Sequence, residues 1–248
     1  MYHFFIHGEM ISDQTIAISG SDVNHIRNVL RMKPGEELML SNGTGSVFHC
    51  AVEEITEETV ICRILEEEGT ITEPSVRFYL FQGLAKGDKL EHVIQKSVEL
   101  GVYEYIPVEM ARSVVRYDGK KQKAKQERWQ KIAESAAKQS HRGIIPEVKE
   151  IRNFQEALQY AKDAELDLLL VPYENYKDMK ATKETLQMIR PGMRVGIFVG
   201  PEGGFAPEEI QAADAAGGKQ ISLGSRILRT ETAPLMLLSV LTFALEEV

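Results

Sequence analysis

The sequence predicts a protein of two domains, a small β-rich one to about residue 72 and a larger α/β one over residues 73–248. Three observations predict it. Short β-rich runs joined by turn dipeptides fill the first part, and strands alternating with helices fill the second. Between them lies a charged, then Gly/Thr/Pro-containing stretch at 66–74, the expected linker.

In the first domain the runs 37–40, 47–55 and 59–65 are the strands. Asn42-Gly43 supplies one turn and Glu57-Glu58 a second. A short helix is expected over 22–30, capped by Ser21 or Asp22. From Val76 the pattern changes. The apolar, aromatic run 76–81 reads as a buried strand, and Asp88-x-x-Glu91 reads as a capping box opening a helix. Leu90, Val93, Ile94 and Val98 share one face of that helix, and Gly101 stops it in the left-handed region. Strands follow at 102–108, 166–171, 194–199 and 220–223. Helices are expected over 122–141, with Trp129, Ile132, Ala133, Ala136 and Ser140 on one side, from Pro207 to Gly217, and from about Glu231. Alternation of this kind implies a mostly parallel sheet covered on both faces.

Composition narrows the class. With 43% hydrophobic and 27% charged residues, the chain can bury a substantial core and is not a disordered segment. Residues 1–10 lack the basic region and continuous apolar run of a signal peptide, and the apolar-rich stretch 232–245 is too short for a membrane span. Cys50 and Cys62 form no Cys-x-x-Cys pair, which suits a reducing cytoplasm. No histidine grouping supplies a metal set: His3 and His7 share an expected strand, and His49-Cys50 has no third ligand nearby. The net charge of −8 is unevenly placed, because residues 1–72 hold 12 Asp/Glu against 4 Lys/Arg. Residues 111–143 hold 10 Lys/Arg against 3 Asp/Glu. Read alone this is a solvated basic face; beside a site it would hold a phosphate backbone.

Ligands of open α/β sheets bind beyond the carboxyl ends of the strands. Three such ends carry unusual residues: Leu170-Val171-Pro172, Gly200-Pro201-Glu202-Gly203-Gly204-Phe205, and the segment 223–232 with Arg226, Arg229 and Glu231. The glycines of the second let backbone approach a ligand, but the GxGxxG and GKS/GKT fingerprints of nucleotide-phosphate binders are missing. By itself that turn is structural, and the third segment is a surface loop with an internal salt bridge.

Their combination is more specific. Gly-Pro-Glu-Gly-Gly-Phe at 200–205, followed by Leu-Gly-Ser-Arg-Ile-Leu-Arg-Thr-Glu-Thr-Ala at 223–233, closely resembles the RsmE family. These are 16S ribosomal RNA uridine methyltransferases that act on ring nitrogen 3, within the SPOUT class. The resemblance extends to residues 95–101, to 136–142 and to 25–31, and so covers essentially the whole chain. It implies an N-terminal PUA-like β-barrel and a C-terminal SPOUT domain whose last segment threads a deep trefoil knot. It also implies a homodimer in which each site is completed at the interface, and S-adenosylmethionine as methyl donor.

Carried over by motif, Leu170, Pro172, Gly200, Pro201, Glu202, Gly203, Leu223, Gly224, Ile227 and Leu228 would line the donor. Arg229, then Arg226, would offset charge on the uracil carbonyl oxygens; Glu231 or Glu202 would orient the arginine or accept the imide proton. Arg27, Arg31, Arg112, Arg116, Lys120, Lys121, Lys123, Gln139 and Arg142 would hold phosphates of the 16S RNA, with His25 and His141 nearby in the same motifs. Metal and membrane have no expected part. The rivals are a knotted methyltransferase acting on transfer RNA or a ribose hydroxyl, and a non-catalytic RNA-binding assembly factor. A plain dinucleotide-binding oxidoreductase is disfavoured by the missing fingerprint.

Overall fold

Two compact units make up the chain in the computed structural model, which describes residues 1–6, 14–68 and 72–245. His7 and part of the expected linker lie outside the described residues. The first unit takes residues 1–73 together with 137–145, and the second takes 74–136 with 146–248.

In the first unit five strands, β1 (Tyr2–Phe5), β2 (Thr15–Ser19), β3 (Glu37–Ser41), β4 (Val47–Ile55) and β5 (Thr59–Glu68), pair in the order β1-β3-β4-β5-β2. Alternate residues build the core: Ile16 and Ile18, Leu38 and Leu40, Phe48, Cys50 and Val52, Val60 and Cys62 all point inward. Among the described residues β1 and β2 are not paired with each other, so the expected barrel is an open, half-closed sheet. The two expected turns are present. Asn42 Oδ1 accepts the Thr44 and Ser46 amides while Gly43 takes φ +73°, and Thr56 Oγ1 accepts the Glu58 and Thr59 amides.

The expected helix is a single turn, α1 (Ser21–Asn24), continued by a π-turn over His25–Leu30 that ends at Arg31 with φ +55°. Its cap is Gly20, with no side-chain bond, rather than Ser21 or Asp22. Asp22 instead meets the Lys138 ammonium at 3.2 Å. Segment 137–145 is bound into this unit by a buried ion pair. Arg142, 2% exposed, donates through Nε to Glu73 Oε1 at 3.2 Å, and that oxygen also accepts the Gly143 and Ile144 amides. His3 stacks on His141, and its pKa falls to about 4 because burial, then His141 and Lys138, oppose a charge there.

The second unit is a parallel sheet, β12 (Lys219–Ile221), β10 (Leu168–Pro172), β11 (Arg194–Val199), β6 (Arg77–Gly83), β7 (Val102–Glu109) and β8 (Glu147–Val148) in spatial order, with β9 (Arg152–Asn153) also on β7. Strands β6 and β11 lie at its centre and are almost wholly apolar, because helices cover both faces. Phe81 and Phe198 stack across them at 4.1 Å. The helices are α2 (Lys89–Glu99), α3 (Gly119–Gln139), α4 (Phe154–Asp163), α5 (Met179–Leu186), α6 (Pro207–Ala215) and α7 (Thr232–Leu245).

Asp88 caps α2 by position, yet makes no side-chain cap bond, so the expected capping box does not form. Glu91 turns away to Arg128 at 2.8 Å and Lys125 at 3.7 Å. Two opposing cations hold it more strongly than one backbone amide. Helix α3 begins three residues before its expected start and ends at Gln139, so Ala137, not Ser140, completes its buried face with Trp129, Ala133 and Ala136. Helices α4 and α5 were not placed from the sequence. The first carries a full Asn153/Glu156 capping box, and the second is capped by Asp178.

After β6 the chain runs outward to β7, whereas after β11 it crosses by α6 to β12 beyond β10. The connections therefore diverge between β6 and β11, and a crevice opens at their carboxyl ends.

Gly101 closes α2 at φ +87°, and a Cβ there would sit 2.3 Å from Pro74 Cγ. Gly101→Ala should therefore cost about 2 kcal/mol and lower the melting temperature by roughly 4–8 °C, read by calorimetry.

Candidate active site

The crevice is a cleft of about 430 Å³ walled by three loops that leave β10, β11 and β12, with Lys89 of α2 at one side. Local chemistry explains why the loops meet. Gly200 and Gly204 close a turn so tight that a Cβ on Gly200 would lie 3.1 Å from the Gly204 carbonyl carbon, and Gly204 itself takes φ +67°. At the end of β6, Gly83 lies under this turn, where a Cβ would be 2.5 Å from the Pro201 nitrogen. Beneath them a buried chain of hydrogen bonds joins three segments. Gln82 Nε2 donates to Thr230 Oγ1 at 2.9 Å, and Thr230 donates to the Gly200 carbonyl at 2.7 Å.

Of the residues expected to line a ligand, Pro172, Gly200, Pro201, Glu202, Gly203, Leu223, Gly224, Ile227 and Leu228 all face this cleft. Leu170 does not: it is fully buried inside β10, flanked by β11 and β12. One residue of a central strand points to the core, and the loop beyond it does the lining. Tyr173, Glu174 and Tyr176 of that loop line the cleft in its place.

Arg226, Arg229 and Glu231 also reach the cleft. Both arginines are exposed, and among the described residues neither guanidinium has an ion pair. Glu202 is differently placed. Its Oε1 accepts the Lys86 amide and the Lys89 ammonium, each at 3.0 Å. Burial opposes its charge, but those two donors and its own amide outweigh burial and hold the carboxyl below its usual range. Lys89 also stands 3.7 Å from Glu231 Oε2, an oxygen that is buried without a hydrogen-bond partner.

The expected phosphate-binding residues separate. Arg142 is not available for that work, being buried against Glu73. Arg112 extends its guanidinium to the Gly203 carbonyl at 3.1 Å and so buttresses the cleft wall. Arg116 pairs with Glu109, Lys121 with Asp118 and Arg27 with Glu57, all at 3.5 Å on the surface. Lys120, Lys123, Gln139 and Arg31 are exposed, and among the described residues Lys120 and Lys123 have no ion pair.

Sequence reasoning passed over Lys89, Gln82, Thr230 and Glu209. Gln82 carried a signal, a lone amide ending an apolar strand. Glu209 carried a weaker one as an acid in the first turn of α6; it is buried and accepts the Ala111 and Ala206 amides at 2.8 Å each, tying the loop after β7 to the helix. Lys89 had none.

A glycine-rich cleft of this size at the carboxyl ends of a parallel sheet, lined also by Glu202, Glu231, Arg226 and Arg229, has the form of a small-ligand or cofactor site. Comparison with known proteins makes this specific. Residues 72–242 match the family described as RNA methyltransferase domain, and residues 18–65 match RNA methyltransferase PUA domain. The chain is 39% identical to ribosomal RNA small subunit methyltransferase E of Bacillus subtilis, over 94% of this chain and 91% of the relative. It is 31% identical to the protein of the same name from Mycobacterium tuberculosis, over 87% and 81%. The crystal structure of ribosomal RNA small subunit methyltransferase E from Neisseria gonorrhoeae, bound to S-adenosyl methionine, aligns with TM-score 0.82 at 33% identity over 98% of both chains. The chain belongs to the RNA methyltransferase domain family and, within it, to the ribosomal RNA small subunit methyltransferase E family that the sequence motifs resemble.

Thr230→Val would leave the Gln82 amide only its 3.3 Å bond to the Gly83 carbonyl and would strip the Gly200 carbonyl of the Thr230 donor. It should destabilise the unit by about 2–4 kcal/mol, measured as a lower urea midpoint with unchanged slope. Stabilisation from Glu202, whose pKa is lowered on folding, is complete above the ordinary carboxylate value of 4.5 and is lost as pH falls through the lower folded value. Glu202→Gln should accordingly flatten the acid side of a stability–pH curve.

Proposed function

We propose that the protein methylates ring nitrogen 3 of a uridine in 16S ribosomal RNA of the small subunit, taking the methyl group from S-adenosylmethionine. The observation that carries this reading is the meeting of the loops that follow β11 and β12 around one cleft. The cleft suits a sulfonium nucleoside. Glycine backbone at Gly200, Gly203 and Gly204 forms part of its wall, and Gly224, at φ +104°, faces open space where a Cβ would meet nothing within 4 Å. Pro172, Leu223, Ile227 and Leu228 supply apolar walls for an adenine face, while loop backbone offers partners for its edge.

Bound there, the donor supplies a methyl carbon on a positively charged sulfur, which keeps the bonding electron pair as a neutral thioether. The chain's own tasks are to align the uracil, remove its imide proton and offset the charge that spreads onto the carbonyl oxygens. Arg229, with Arg226 beside it, has no ion pair among the described residues and reaches the cleft, as that last task requires. Glu231, Glu202 and Glu174 are the acids that line the same space.

The wider assignment follows the same family logic. Residues 1–72 would form the RNA-reading domain and 73–248 the transfer domain, with the last segment of the chain threading a deep trefoil knot. Exposed Met236, Val240 and Phe243 fall on one face of α7, an apolar stripe suited to a second copy of the chain. Lys120 and Lys123, without ion pairs among the described residues, are the basic residues of α3 best placed for phosphates; Arg31 would serve the first unit. The RNA places this work in the cytoplasm.

Mass spectrometry of ribosomal RNA from a deletion strain, before and after adding the purified protein, should show one methyluridine lost and regained. Calorimetry should detect S-adenosylmethionine binding and none to NAD. Arg229→Ala should lower kcat by about 100- to 1,000-fold, and normal turnover would remove it from this role. Reversing Lys120 and Lys123 to Glu should reduce the salt slope of RNA affinity by about one for each phosphate that is no longer neutralised.

A further inference from the structure

We propose that Glu231 accepts the imide proton and that Lys89 is the positioning residue that holds it, an assignment that rests on the uridine reading above. Three carboxylates line the cleft, Glu174, Glu202 and Glu231, and the ammonium of Lys89 stands between the last two, 3.0 Å from Glu202 Oε1 and 3.7 Å from Glu231 Oε2. An ammonium there offsets the repulsion that two acids in one cleft would otherwise feel.

The two acids differ in what capacity they have left. Glu202 Oε1 already takes the Lys86 amide and the Lys89 ammonium, and those donors stabilise its charged form. A carboxylate so engaged is a poor acceptor of a further proton. Glu231 is differently engaged. Its Oε2 receives no hydrogen bond at all, and Lys89 lies just beyond hydrogen-bonding distance. Leaving such an oxygen unmatched is costly, about 1–3 kcal/mol in general, which fits a site that awaits a donor from its ligand.

The backbone of Glu231 is fixed as well. Arg229 O accepts the Thr232 and Ala233 amides at 2.9 and 3.0 Å, setting Glu231 in the turn that opens α7. The charged groups that line the cleft with it are Lys89 from α2, Glu174 and Lys177 from the loop after β10, Glu202 from the loop after β11, and Arg226 and Arg229 from its own segment.

In the step itself the N–H bond of the uracil ring nitrogen breaks. Its electron pair stays on nitrogen and forms the new bond to carbon, while the proton forms an O–H bond with the Glu231 carboxylate. After product leaves, the acid returns that proton to water. Lys89 touches neither base nor proton; it keeps the carboxylate aimed at the cleft.

The test compares Glu231→Gln, Glu231→Asp, Glu202→Gln, Lys89→Met and Lys89→Arg with the full-length wild type. Calorimetry gives affinity for S-adenosylmethionine, and single-turnover rates on small-subunit RNA are followed from about pH 6 to 9. E231Q should bind the donor like wild type yet turn over about 100-fold or more slowly, its residual rate rising about tenfold per pH unit as hydroxide replaces the missing base. K89M should lose kcat with donor affinity held, and K89R should recover most of it. Wild-type rate and pH profile in E231Q would overturn the proposal, as would hydroxide dependence appearing in E202Q instead. Should E231Q fail to bind the donor, E231D decides: a slower enzyme with the wild-type profile supports the assignment, and a hydroxide-dependent one refutes it. A wild-type protein that binds no donor, or leaves ring nitrogen unmethylated, sinks the functional reading first, before any variant is compared.

Discussion

The buried hydrogen-bond chain from Gln82 through Thr230 to the Gly200 carbonyl is the constraint on which the candidate site depends. It joins the end of β6, the turn after β11 and the long segment after β12, three stretches far apart in sequence. Threonine suits the central position because its hydroxyl both accepts and donates. Valine has the same outline and can do neither. Gln82 is fully buried, so its amide nitrogen relies on Thr230 at 2.9 Å and the Gly83 carbonyl at 3.3 Å, and the Thr230 bond forms only where the loops meet in this arrangement.

Around that tie, small residues govern how close the backbone can come. Gly83 admits Pro201, Gly200 admits Gly204, and Gly203 admits the Arg112 side chain, whose guanidinium then holds the Gly203 carbonyl. The cleft wall is thus supported from behind by side chains and left bare toward the cavity. Charge is arranged on the same plan. Lys89 and Lys86 engage Glu202, while Arg226 and Arg229 line the same cleft with no ion pair among the described residues. A site built this way is preformed, so a ligand would meet groups already oriented.

The basic stretch at 111–143 shows how structure redistributes a linear charge count. Arg128 and Lys125 are drawn to Glu91, Lys138 to Asp22, and Arg142 into the interior with Glu73. What looked in sequence like one run of positive charge performs at least three jobs: clamping α3 to α2, holding segment 137–145 in the first unit, and leaving lysines such as Lys120 and Lys123 for solvent or polyanion. Each opposing acid lies dozens of residues away or more, so spacing along the chain carries no trace of these pairings.

Much of the architecture was legible locally. Strand β11 falls at the residues its apolar run implies, Gly101 takes the positive φ its position after α2 implies, and the turns at Asn42-Gly43 and Glu57-Glu58 form where their dipeptides stand. These features are set by interactions within a few residues, as was the presence of glycine-rich and arginine-bearing loops at strand ends. Tertiary structure alone decided the rest. It turned Leu170 into core, withdrew Arg142 from the surface, broke the Asp88/Glu91 capping box in favour of distant cations, and brought Lys89 between two acids. The physical reason is common to all four: burial and ion pairing depend on which distant segments the sheet order makes neighbours, and local sequence does not encode that order.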